Sequence, residues 1–104
     1  MSRHTWEYPI YCENYMSALE GANPPHWEVL EELPLRGSFT GAGHAWIVKD
    51  TANGVVALQS YRTIVSIYAG GGKVMHLGKW TPTTSRQQSR FDLYMAEHGA
   101  RFEQ

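Results

Sequence analysis

At 104 residues the chain is long enough for one modest core and too short for two. Apolar residues make up 42% of it, charged residues 18%, and four Trp, six Tyr and three Phe exclude a disordered chain, which needs few aromatics and strong net charge. A formal net charge of −1 gives no bulk attraction to DNA or anionic lipid. The charge is unevenly spread: residues 1–35 hold one base and six acids, whereas residues 36–104 hold eight bases and four acids. This predicts either an acidic third folded back over a basic remainder or two faces of opposite sign. Cys12 is the only cysteine, which fits a reducing compartment. With no apolar leader in MSRHTWEYPIY and no run long enough to span a bilayer, the expectation is a soluble cytoplasmic protein in a bacterial host cell, with no membrane contact.

In chain order, Ile10, Tyr11, Tyr15, Met16 and Leu19 trace one helical face, and Gly21 with Asn23-Pro24-Pro25 stops it. Asn23 then reads as the cap of a second helix, with Trp27, Leu30 and Leu33 inward, Glu28, Glu31 and Glu32 outward, and Pro34 at its end. Residues 1–35 are thus expected to form an acidic helical segment. The glycines at 37, 41 and 43 and the run Gly70-Gly71-Gly72-Lys73 resemble phosphate loops only in composition, because neither opens a helix.

Residues 44–49 are a short strand, and Asn53-Gly54 is a reversal signal because both residues tolerate positive φ. Residues 55–68 read as one long strand, and its length predicts a bulge or bend near Gln59-Ser60. After a glycine turn, residues 73–77 return. The β region, residues 43–80, is therefore expected to be a three-stranded antiparallel meander. Thr83 or Thr84 should cap a helix over residues 84–98 that ends at Gly99, with Phe91, Tyr94, Met95 and His98 as its packing stripe. The fold class is α+β in a single domain of residues 1–104: this meander, the C-terminal helix packed on one face, and a small helical N-terminal segment. The expected core is Trp46, Val48, Val56, Leu58, Val65, Ile67, Met75, Leu77, Phe91 and Met95. A sheet this small exposes its edges, so an edge-paired homodimer is an open expectation.

Ser60-Tyr61-x-Thr63-x-Val65 is followed by Leu77-Gly78-Lys79-Trp80-Thr81-x-Thr83-Thr84-Ser85-Arg86-x-Gln88-Ser89-Arg90-Phe91. This third of the chain resembles small proteins of unknown function encoded by phages, prophages and plasmids, in which a histidine often stands where this chain has Gln87. The resemblance implies a shared hairpin-plus-helix unit and a mobile-element setting, and it implies no activity.

Five histidines (4, 26, 44, 76, 98) and Cys12 show no metal-ligand spacing, no serine sits in a nucleophile-elbow context, and spacing alone reveals no Ser-His-Asp triad. The expectation is a non-enzymatic protein without cofactor or metal. Its first functional reading is a protein-interaction module that modulates a host protein, for instance an anti-defence inhibitor of the anti-CRISPR type, through an acidic surface of Glu20, Glu28, Glu31 and Glu32. The alternative is a nucleic-acid-binding module whose surface combines Arg62, Lys73, Lys79, Arg86 and Arg90 with Tyr61, Tyr68 and Trp80.

Overall fold

Four consecutive reversals organise the chain into one antiparallel meander. The computed structural model describes residues 5–19, 23–34, 44–78 and 80–102. Its elements are α1 (Glu13–Ala18), β1 (Trp27–Glu32), β2 (Ala45–Asp50), β3 (Val55–Ser60), β4 (Thr63–Gly70), β5 (Lys73–His76) and α2 (Pro82–His98), closed by a 3-10 turn at Gly99–Phe102. The sheet order is β1-β2-β3-β4-β5, every neighbour antiparallel.

The α+β class and the C-terminal helix are as expected, but the sheet has five strands rather than three. One extra strand comes from residues 55–68, which form a hairpin rather than one bent strand. Tyr61 takes a left-handed φ of 56° and its N–H donates to the His44 carbonyl, so the chain reverses over Tyr61-Arg62. No Gly, Asn or Pro marks this turn, and so its local chemistry hid it. The other extra strand is β1, in the stretch read as an acidic helix. Val29 pairs with Val48 and Glu31 with Ile47, leaving Leu30 as a one-residue bulge. The bulge breaks the two-residue alternation, so Trp27, Leu30 and Leu33 imitate a helical spacing. The N-terminal region therefore contributes one short helix, α1, and an edge strand.

The sheet is covered on both sides. Phe91 and Met95 of α2 pack on Leu33, Ile47, Val56, Leu58 and Val65 on one face. On the other, Tyr15, Trp27, Trp46, Val48, Ala57 and Ile64 pack together beneath Trp6, Cys12 and Leu19 of the N-terminal segment. Two-sided cover explains why β2 and β3 read as near-continuous apolar runs rather than alternating ones. Nine of the ten expected core residues are buried; Met75, on edge strand β5, is 51% exposed and is corrected to a surface position. Among the described residues no helix is long and apolar enough to cross a membrane.

Candidate functional site

The structure keeps two of the grouped acidic residues, Glu28 and Glu31, on one sheet face and sets Glu32 on the other. Glu28 sits opposite Lys49 across the β1–β2 pair, an opposite-charge pairing that favours the register. Glu31 accepts from the Tyr94 hydroxyl and from Arg101 at 2.7 Å. Glu32 pairs with Trp46, which places it on the opposite sheet face from Glu31. Glu20 lies outside the described residues. The basic residues are dispersed. Arg62 lies in the β3–β4 turn and Lys73 opens β5 at the far end of β4, eight residues or roughly 25 Å away. Arg86 and Arg90 lie on α2; Arg90 donates through Nε to the Pro34 carbonyl at 3.3 Å. Trp80 is half-buried and its indole donates to the Leu77 carbonyl, Tyr68 is buried in the core, and Lys79 lies outside the described residues.

The residues of the two sequence patterns meet in one place. The cap of α2 is Thr81 rather than Thr83 or Thr84: Pro82 fills the first helical position, so the helix starts two residues earlier than expected, and the Thr81 hydroxyl accepts from the Thr84 N–H at 3.4 Å. Thr84, Gln87 and Gln88 then point inward, although all three are polar. Ser60 Oγ donates to Gln87 Oε1 and lies 3.2 Å from Thr84 Oγ1. Leu58 pairs with Ser66 and Gln59 with Ile64, so Val65 is the extra residue of a bulge, and Gln88 Nε2 donates to its carbonyl at 2.9 Å. The same carbonyl accepts from the Leu77 N–H at 2.9 Å, so Gln88 supplies its second donor and ties the helix to the bulge. The polar run from Thr81 to Gln88 is thus a clasp between α2 and the β3–β4 hairpin.

Two further polar groupings were not legible in the sequence. His76 Nδ1 lies 2.7 Å from Ser66 Oγ and Nε2 lies 2.8 Å from Asp92 Oδ2. These are the residue types of a hydrolytic triad, but Ser66 is 0% exposed in the interior of β4, where no substrate carbonyl can reach its oxygen. The chain of bonds instead ties β4, β5 and α2 together. Asp50, also 0% exposed, accepts from the Tyr15 hydroxyl, Asn53 Nδ2, and the N–H groups of His26 and Ala52. Burial pushes its carboxyl pKa up, but these donors outweigh burial and hold it below the usual range. Burial also raises the Cys12 thiol, which disfavours the reactive thiolate. No three His, Cys, Asp or Glu side chains converge as metal ligands among the described residues.

An aromatic cleft of about 650 Å³ opens at the β3–β4 turn. The Tyr61 ring stacks on His44, with centroids 4.4 Å apart and planes at 13°, and Trp46 stands edge-on to His44 at 88°. Tyr11 and Ile10, both exposed, face this corner across the cleft, and Arg62 lies 4.0 Å from Glu7 at its rim. Beneath it the buried Gln59 amide fixes the geometry: Oε1 accepts from Trp6 Nε1, while Nε2 donates to the carbonyls of Glu7 and Tyr61. Tyr11 also pairs with Thr63, both its N–H and that of Ile10 donating to the Arg62 carbonyl. A second hollow, lined by Trp80 and Asn14, shares Tyr11 and Thr63 with the first, so the aromatic surface is continuous. Sequence reading placed Tyr61 and Trp80 on a contact surface but missed His44, Trp46 and Tyr11, which only the fold brings to them.

A protein-family model described as a family of unknown function (DUF8033) matches residues 30–103. No protein of curated description and no solved structure matches the chain significantly.

Proposed function

From a chain that belongs to this family of unknown function, we propose a small non-enzymatic interaction module that binds a protein partner through the aromatic cleft at the β3–β4 turn. The observation that carries this reading is Tyr61. A bulky residue at a left-handed φ costs about 1 kcal/mol or more that glycine would not, yet this position holds a tyrosine, 43% exposed, stacked as a cleft wall. Rigid tyrosine and tryptophan surfaces supply contact area at low entropic cost, which suits a protein interface. The resemblance of the clasp motif to phage, prophage and plasmid proteins supports a mobile-element setting. In that setting the partner is a host protein in the bacterial cytoplasm, and an anti-defence inhibitor of the anti-CRISPR type is one concrete form.

The test is affinity capture from bacterial lysate with and without nuclease, comparing the native chain with Tyr61→Gly and Tyr11→Ala. A single host protein recovered in both conditions, and lost with either variant, is expected. Recovery only of nucleic-acid-associated proteins that vanish on nuclease treatment would replace this reading with the nucleic-acid one. A partner retained by both variants would place the interface elsewhere.

A further inference from the structure

The two hollows of the aromatic surface differ in charge. In the larger one Glu7 faces Arg62 at 4.0 Å, so a carboxylate and a guanidinium offset each other. The smaller, of about 320 Å³, is lined by Tyr11, Glu13, Asn14, Thr63, Ile64 and Trp80, with a carboxylate and no basic side chain among the described residues. Glu13 stands in the first turn of α1 and is exposed. Both aromatic walls are held in place. The Tyr11 carbonyl accepts from the Ile64 N–H at 3.0 Å, and its own N–H donates to the Arg62 carbonyl at 3.1 Å. Trp80 packs partly against the core beneath α2, and its indole N–H is committed to the Leu77 carbonyl. Gly78, at φ 78°, lets Asn14 and Trp80 close in, because a Cβ there would stand 2.9 Å from Asn14 Nδ2 and 3.5 Å from the indole ring.

Building on the reading of the aromatic surface as the partner's binding surface, we infer that its smaller hollow takes an arginine side chain of that partner. The guanidinium lies against the Tyr11 and Trp80 rings and meets the Glu13 carboxylate. With its N–H already spent inside the fold, the indole offers a ligand its π surface, and a π face attracts cations. Glu13 adds the counter-charge. An arginine fork matches a carboxylate bidentately, and its flat, weakly hydrated plane stacks on rings. A phosphate or carboxylate would meet Glu13 with no base lining the hollow to offset it, so an anionic occupant is selected against. An apolar side chain would fill the space but gain nothing from Glu13. Tyr11 and Thr63 line both hollows, so one segment can lie in the cleft and place its arginine here.

The test titrates the full, isotope-labelled chain with acetylated, amidated Gly-Ala-Arg-Ala-Gly, and separately with the same peptide carrying citrulline, which keeps the planar shape and loses the charge. Expected are arginine-induced shifts of the Tyr11, Glu13, Thr63 and Ile64 amides and of the Trp80 indole N–H, weakening as salt rises. Citrulline in the peptide and Glu13→Gln in the chain should each raise Kd about threefold or more, with the variant otherwise keeping the native spectrum. Equal binding of both peptides in the hollow, or an unchanged Kd in Glu13→Gln, would overturn the arginine assignment while leaving the aromatic surface a binding surface. Shifts centred elsewhere, or none, would also overturn it. The cleft reading itself falls only if Tyr61→Gly and Tyr11→Ala both retain the captured partner.

Discussion

Asp50 shows how a single residue can be read correctly for position and missed for its role. The sequence places it at the start of an Asn-Gly turn, which is where it lies, with Gly54 at φ 70° and its N–H bonded to the Asp50 carbonyl. That the carboxylate turns inward to gather donors from α1, the β1 approach and the turn depends on tertiary contacts that no local pattern encodes. Asp50→Ala should cost about 3 kcal/mol in a denaturant melt, because the donors lose a shared acceptor in a dry site. Since the folded-state carboxyl pKa is depressed, its contribution is present above the unfolded carboxyl range and lost as pH falls through the folded value. The native chain should therefore lose stability below about pH 4 more steeply than Asp50→Asn does, measured by the urea midpoint as a function of pH. Tyr61 gives the opposite kind of test. Tyr61→Gly relieves a left-handed backbone but forfeits the stack on His44, two terms of about 1 kcal/mol that nearly cancel. A thermal midpoint within a few degrees of native, with partner binding lost, is the expected outcome.

At the scale of elements, the clasp explains why a helix carries buried Thr84, Gln87 and Gln88 where an amphipathic pattern would place apolar residues. Gln88→Leu should destabilise by about 1 kcal/mol despite being more hydrophobic, because a buried hydrogen bond is lost and the Val65 carbonyl keeps only the Leu77 N–H. Stability near or above native would show that the Leu77 N–H alone satisfies that carbonyl. The other end of α2 is held by shape. A Cβ on Gly99 would stand 2.3 Å from the Tyr68 hydroxyl, which itself accepts from the Gly72 N–H at 3.0 Å. Gly99→Ala should therefore cost about 1 to 3 kcal/mol by displacing Tyr68 from the β4–β5 turn, and Tyr68→Phe in the same background should recover part of it. The body of α2 and its end at Gly99 are legible in the apolar stripe and the glycine, but its start is not: Thr81 caps it where the sequence predicts Thr83 or Thr84, because Pro82 serves as the first helical residue. The elements that were misread, β1 and the β3–β4 reversal, are those where a bulge at Leu30 and a left-handed tyrosine replace the ordinary signals.

For the whole molecule, the meander is sandwiched between α2 and an N-terminal segment that has little regular structure, and the second layer is what shapes the site. Ile10 and Tyr11 hydrogen-bond to Arg62, and Trp6 to Gln59, so the segment brings its own aromatics against the hairpin turn while covering Trp46 and Ile64. The sequence announced an aromatic excess that needed a surface; it did not announce that the surface would form where two segments some fifty residues apart meet. The edges of the sheet are guarded, β1 by its bulge and carboxylates and β5 by its four-residue length, and the proposed binding surface is the cleft rather than an edge. Site-specific photo-cross-linking in bacterial cells tests that directly, with a benzoylphenylalanine replacing Tyr11 in one chain and the exposed Met75 of edge strand β5 in another. The account expects a discrete protein adduct from position 11 and none from position 75. An adduct from position 75 alone, or equal adducts from both, would contradict the cleft as the binding surface.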